Sequence, residues 1–132
     1  MKKIDHIGVA VRSVEERLRF YRALGLVLEG SEEVPEQKVR VAFLPVQGTR
    51  IELLEPTAED SPIARFIAKR GEGLHHIAFH VEDLRAAMAA LAEAGFELLS
   101  EHPVAGAHGS QVCFVHPRST GGVLLELCQP GE

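Results

Sequence analysis

The chain repeats itself. Asp-His-Ile-Gly-Val-Ala-Val (5–11) returns as His-His-Ile-Ala-Phe-His-Val (75–81), which sets His6 against His76, Ile7 against Ile77 and Val11 against Val81. The same register carries Gly25 onto Gly95, Leu28 onto Leu98 and Val34 onto Val104. It then slips by a few residues, as loops allow. Val-Arg-Val-Ala-Phe-Leu (39–44) answers Ser-Gln-Val-Cys-Phe-Val (110–115), and Arg-Ile-Glu-Leu-Leu-Glu-Pro (50–56) answers Leu-Leu-Glu-Leu-Cys-Gln-Pro (124–130). That last match sets Glu52 against Glu126. A duplicated sequence predicts two modules of one design, so any fold must be built twice over.

Each half reads as β-α-β-β-β. Residues 3–11 alternate as a strand, with His6, Gly8 and Ala10 on one face. Ser13 then caps a helix, with Glu16 completing a capping box. Val14, Leu18, Tyr21 and Leu24 form its apolar stripe, and Gly25 takes the C′ position that favours positive φ. Strands are predicted at about 26–33, 38–46 and 49–55. The second half repeats the scheme with Asp83 as cap, Leu84, Met88 and Leu91 as stripe and Gly95 as C′, then strands at about 96–102, 110–116 and 122–129. Between them Ser61-Pro62 starts a connector helix with Ile63, Phe66 and Ile67 on one face, ended by Gly71. The expected fold is α+β and a single domain over residues 1–132. It consists of two tandem βαβββ modules (about 1–57 and 72–132) joined by the connector (about 58–71), their curved sheets wrapping a shared metal cavity.

The chain has 132 residues, with Lys+Arg 14 against Asp+Glu 19 for a net charge of −5. A mildly acidic chain without a basic block argues against nucleic acid as a partner. No apolar run approaches the ~20 residues of a membrane helix, so the expected location is the cytoplasm. Cys113 and Cys128 are too few for a disulfide framework and read as buried thiols.

The duplication gives each module one histidine on its first strand and one glutamate on its last: His6 and Glu52, His76 and Glu126. An unpaired carboxylate in a run such as Val-Leu-Leu-Glu-Leu-Cys costs several kcal/mol to bury. A metal ion removes that cost. Two imidazoles and two carboxylates suit a hard-to-borderline divalent ion such as Mg²⁺, Mn²⁺, Co²⁺, Ni²⁺ or Zn²⁺. Coordination positions left open admit a substrate oxygen, on which such an ion acts as a Lewis acid. His75 falls on the opposite face from His76. His80 shares the face of His76 and reads as a wall residue, whereas His102, His108 and His116 fall in or near loops.

These residues resemble the vicinal oxygen chelate (glyoxalase-like) superfamily over nearly the whole chain. More narrowly, Glu-Asp-Ser-Pro-Ile-Ala (59–64), Gly-Leu-His-His-Ile-Ala (73–78), Gly-Ala-His-Gly (106–109) and His-Pro-Arg-Ser-Thr-Gly-Gly-Val-Leu-Leu-Glu-Leu (116–127) resemble the methylmalonyl-CoA epimerase family. The resemblance implies metal ligation by His6, Glu52, His76 and Glu126, with Co²⁺ the expected ion in activity assays. Some members carry Gln where Glu52 stands. It also implies interconversion of (R)- and (S)-methylmalonyl-CoA by α-proton abstraction and return through a metal-stabilised enolate. That chemistry needs an acid/base group on each face of the α-carbon. Glu126 corresponds to one. The family's other acidic position aligns with Val41, which cannot carry a proton, so Glu36 becomes the nearest acidic candidate. A small-molecule acyl-CoA partner needs a local basic patch for its phosphates, with Lys38, Arg40, Lys69, Arg70 and Arg118 as candidates. A homodimer is the expected assembly.

Other readings belong to the same fold, among them another metal-dependent enzyme of the superfamily such as an extradiol dioxygenase, which would use Fe(II) with a single carboxylate where this chain has two. A glyoxalase I-type lyase uses a similar ligand set, but there Asp-Pro-Asp-Gly typically stands where this chain has His-Pro-Arg-Ser-Thr-Gly-Gly (116–122). A non-catalytic small-molecule binding module would lack the four ligands.

Overall fold

The computed structural model describes residues 3–131. The chain divides into two compact units, one of residues 6–75 and one of residues 76 onward together with the N-terminal residues through Asp5.

In the first unit the strand β1 (Lys3–Ala10) leads into α1 (Val14–Ala23), followed by β2 (Gly30–Val34), β3 (Val39–Val46), β4 (Thr49–Pro56) and α2 (Pro62–Arg70). Strand order is β2-β3-β4-β1, with β1 parallel to β4 and the other pairs antiparallel. Ser13 Oγ accepts from the Glu16 N–H at 3.3 Å, which fixes the start of α1. Ser61 caps α2 in the same manner, accepting from the Ile63 N–H at 3.1 Å. Val11, Val14, Leu18, Ala42, Leu44 and Leu53 form the core between α1 and the sheet.

The second unit holds β5 (Gly73–His80) from His76 onward, α3 (Leu84–Glu93), β6 (Val104–Ala105), β7 (Gln111–Val115) and β8 (Leu125–Gln129), in strand order β5-β8-β7-β6. Asp83 caps α3 by accepting from the Ala86 N–H at 3.0 Å. Its core is the first one rewritten: Val81, Leu84, Met88, Cys113, Val115 and Leu127 stand where Val11, Val14, Leu18, Ala42, Leu44 and Leu53 stand above. Both cysteines are buried free thiols, as expected. The α+β architecture of paired βαβββ modules is therefore the one the repeat foretells.

The structure corrects four details. Leu24 is 65% exposed rather than part of the buried stripe, because it is the C-cap residue of α1 and lies past the packed turns. Residues 26–29 are not strand. The Leu26 N–H donates to the Tyr21 carbonyl and Gly25 takes φ +100, so the helix end is still closing at Leu26, and contact with β3 begins only where the Glu29 N–H donates to the Phe43 carbonyl. Residues 96–102 are likewise no strand: the Glu97 N–H is taken by Ser119 Oγ, only a single bridge joins Leu98 to Val115, and ladder pairing resumes at β6 for two residues. The last strand also starts later than expected, at Leu125, after a turn through Gly121 (φ +75) and Gly122 (φ +98).

Candidate metal centre

In the first unit, β1 and β4 run parallel with Gly8 beside Glu52. Side chains alternate along a strand, so His6, Gly8 and Glu52 share one face. His6 Nδ1 lies 3.3 Å from Glu52 Oε2, and both residues are buried, at 5% and 4% exposure. Phe43 on β3 is the antiparallel partner of Glu52 and closes the same face from the side. Arg50, two residues before Glu52 on β4, donates from Nε to Glu52 Oε2 at 2.8 Å, while its guanidinium lies 5.9 Å from the centre of the Phe43 ring. Glu52 is thus held by an imidazole and a guanidinium at one oxygen.

The second unit repeats the arrangement. Ala78 on β5 lies beside Glu126 on β8, and Phe114 on β7 is its antiparallel partner. His76 Nε2 lies 3.3 Å from Glu126 Oε1, with exposures of 7% and 4%. The Phe114 ring meets the His76 imidazole edge to face, centroids 5.6 Å apart. Ala78, Val112 and Cys128 make the apolar surround of this face. At the position that answers Arg50 stands Leu124.

These donor sets fit a divalent cation. Buried imidazole and carboxylate groups able to hold one are present, and imidazole nitrogen with carboxylate oxygen is the ligand chemistry of borderline divalent ions. A carboxylate as buried as Glu52 or Glu126 is stable only when charge or hydrogen bonds compensate it.

The remaining candidates fall elsewhere. Glu36 is exposed, in a 3-10 turn (Pro35–Gln37) between β2 and β3. Val41 is buried in β3, on the face of Glu52. His75 packs against Phe66 with centroids 4.9 Å apart, and burial pulls its imidazole down to about 4. His80 Nδ1 is buried without a hydrogen-bond partner, 3.9 Å from Asp5 Oδ1. His116 Nδ1 accepts from the Arg118 N–H at 3.0 Å, a turn-capping role. Among the basic candidates, Lys38 pairs with Asp60, Arg118 lies 3.9 Å from Glu97, and Lys69 and Arg70 end α2, with Arg70 over the Phe66 ring. Arg40 is half-buried on β3, beside Glu55 and Glu33 in the register. Arg50 was not foreseen as part of the site. Its signal was available, since period 2 puts residues 50 and 52 on one face.

The family model of the Glyoxalase/Bleomycin resistance protein/Dioxygenase superfamily matches residues 5–114, and the chain belongs to that superfamily. Within it, relatives named for an activity include epimerases. The ethylmalonyl-CoA/methylmalonyl-CoA epimerase of Cereibacter sphaeroides is 42% identical over 130 residues, covering 96% of this chain and 97% of that one. The human mitochondrial methylmalonyl-CoA epimerase is 40% identical over 129 residues, 96% of this chain and 73% of its own. A solved methylmalonyl-CoA epimerase in complex with methylmalonyl-CoA and NH₄⁺ matches 98% of this chain and 94% of its own, with a TM-score of 0.92 and 40% identity. Kinship of this extent makes the chain an enzyme, an isomerase of the epimerase class.

Proposed function

We propose that the chain is a metal-dependent methylmalonyl-CoA epimerase whose ion is held jointly by His6, Glu52, His76 and Glu126. The observation that carries the reading is the twofold recurrence of one buried His–Glu pair, at 3.3 Å in each unit and at equivalent register. The substrates named for the relatives support it. A hydrogen α to a thioester is acidic only where the charge that develops on the carbonyl oxygen is stabilised, and a bound divalent ion supplies that stabilisation. The protein's own part is to carry protons. Glu126 takes or returns the α-proton on one face, and the apolar surround of Ala78, Val112 and Cys128 excludes water from its neighbourhood. Arg50 balances the buried charge of Glu52 at Oε2. The same reading takes Co²⁺ as the ion for assays, an acyl-CoA as substrate, and a cytoplasmic homodimer serving propionate metabolism as the working form.

Elemental analysis of protein purified without chelator, followed by turnover assays, tests this. The reading expects about one divalent ion per chain and epimerisation of methylmalonyl-CoA. Protein unable to bind Mn²⁺ or Co²⁺, or active only on the hemithioacetal of methylglyoxal and glutathione, would overturn it.

A further inference from the structure

The proposed chemistry needs a second proton carrier, and its place in the family's pattern is occupied here by buried Val41. The sheet register of the first unit supplies one that the sequence did not single out. Glu32 on β2 is the antiparallel partner of Val41 on β3. Val41 is in turn the partner of Leu54 on β4, and Phe43 the partner of Glu52. Residues directly opposite in a sheet share a face, and so do residues two apart on one strand. Glu32, Val41, Phe43, Glu52, Gly8 and His6 therefore lie on one face of one sheet. Glu32 is half-buried, whereas its neighbours Ser31 and Glu33, on the other face, are exposed. Two strand spacings separate β2 from β4, about 10 Å, so Glu32 and Glu52 stand on that face with Val41 and Phe43 of β3 between them.

The fold itself does not require an acid at this place. In the second unit the corresponding pairing is Val104 with Val112, so a valine fills the position that Glu32 fills in the first. Glu36, by contrast, is exposed on the turn beyond the strand, where the register assigns it to no face.

We infer that Glu32 is the second acid/base residue, opposite in role to Glu126. The inference rests on the epimerase reading above. In one direction the Cα–H bond breaks and its proton passes to one carboxylate. The other carboxylic acid then delivers a proton to the opposite face of the resulting enolate, forming the new C–H bond. Proton count and charge balance, and no oxidant or reductant enters.

The test uses the full chain and its E32Q and E36Q variants, loaded with Co²⁺. Each is incubated in D₂O with either stereoisomer of methylmalonyl-CoA. Loss of the α-hydrogen and epimerisation are followed separately. For E32Q the expected result is exchange of one stereoisomer within tenfold of the parent rate, little exchange of the other, and epimerisation slowed at least 100-fold. Co²⁺ affinity, measured by calorimetry, should stay within threefold, since Glu32 is not a ligand. Epimerisation by E32Q at the parent rate, equal loss of exchange from both stereoisomers, a tenfold loss of Co²⁺ affinity, or the one-sided pattern in E36Q would each overturn the assignment. A parent protein that exchanges neither stereoisomer would overturn the epimerase reading itself, and this role with it.

Discussion

Arg50 donates from Nε to Oε2 of Glu52 at 2.8 Å, with the guanidinium a quarter exposed and the carboxylate buried. That pair gives the first-module carboxylate a fixed cation of its own. Replacing Arg50 by Met leaves a buried negative charge without that partner, at a cost of roughly 2 kcal/mol. A divalent ion supplies the missing positive charge. The R50M protein should therefore be less stable than the parent in EDTA and gain more from Mn²⁺ than the parent does. Thermal unfolding with and without Mn²⁺ checks this. An equal gain in both proteins would mean that Arg50 does not act on the metal site.

The two helices are tied to the last strands in one way. The Val14 N–H donates to Glu55 Oε1 and the Leu84 N–H to Gln129 Oε1, each at 2.8 Å. Each tie satisfies a helix N-terminal donor that has no partner within its helix. E55A and Q129A should each lose about 1 kcal/mol in urea unfolding. The carboxylate also meets the positive end of the helix dipole, so E55A should be the costlier of the two. Neutral E55A would show that solvent replaces this cap without cost.

Glu72 accepts from Arg17 at Nε and Nη2 and from the Arg12 backbone N–H, and these bonds lower its carboxyl from 4.5 to about 2. A carboxylate held down in the folded state adds stability above pH 4.5 that is lost as pH falls from 4.5 to 2. Arg17 is half exposed, so solvent screening keeps the effect small. E72Q should be less stable than the parent at pH 6, and the gap should close by pH 2. A gap unchanged across that range would contradict the charge-based origin.

His76 sits beside Glu126 on a face separate from the core of Val81, Leu84, Met88, Cys113, Val115 and Leu127. H76A should therefore keep the circular dichroism spectrum of the parent while Co²⁺ content drops to background and turnover is lost. Full turnover by H76A would remove the ligand assignment.

Much of this is legible in the sequence because duplication doubles the signal. The cap at Ser13, the C′ glycines at Gly25 and Gly95 and the cores of the two units all follow from a period of 3.6 or 2 read twice. The paired His6–Glu52 and His76–Glu126 were readable for the same reason: a histidine or glutamate that recurs at a matched place is harder to dismiss than one that stands alone. What failed was local. Between 96 and 102 the Phe96 N–H closes the end of α3, the Glu97 N–H goes to Ser119 Oγ and only the Leu99 N–H reaches a β7 carbonyl, at Phe114, a mixture that pattern cannot show, and Leu26 belongs to a helix end. Glu32 escaped notice because Gly30–Val34 is polar and pairs at a register fixed by β3, not by its own hydrophobic pattern. Arg50 shares a face with Glu52 by period 2, but the pairing of Phe43 with Glu52 that brings an aromatic ring to its guanidinium belongs to the register.

The central claim is that this chain moves an α-proton with the help of a metal ion. The direct measurement is loss of the α-hydrogen signal of methylmalonyl-CoA in D₂O by NMR, with Co²⁺-loaded protein, the same sample plus EDTA, and a protein-free control. The account predicts rapid exchange with the loaded protein that EDTA abolishes. Exchange that persists in EDTA, or none with Co²⁺, Mn²⁺ or Mg²⁺ present, would contradict it.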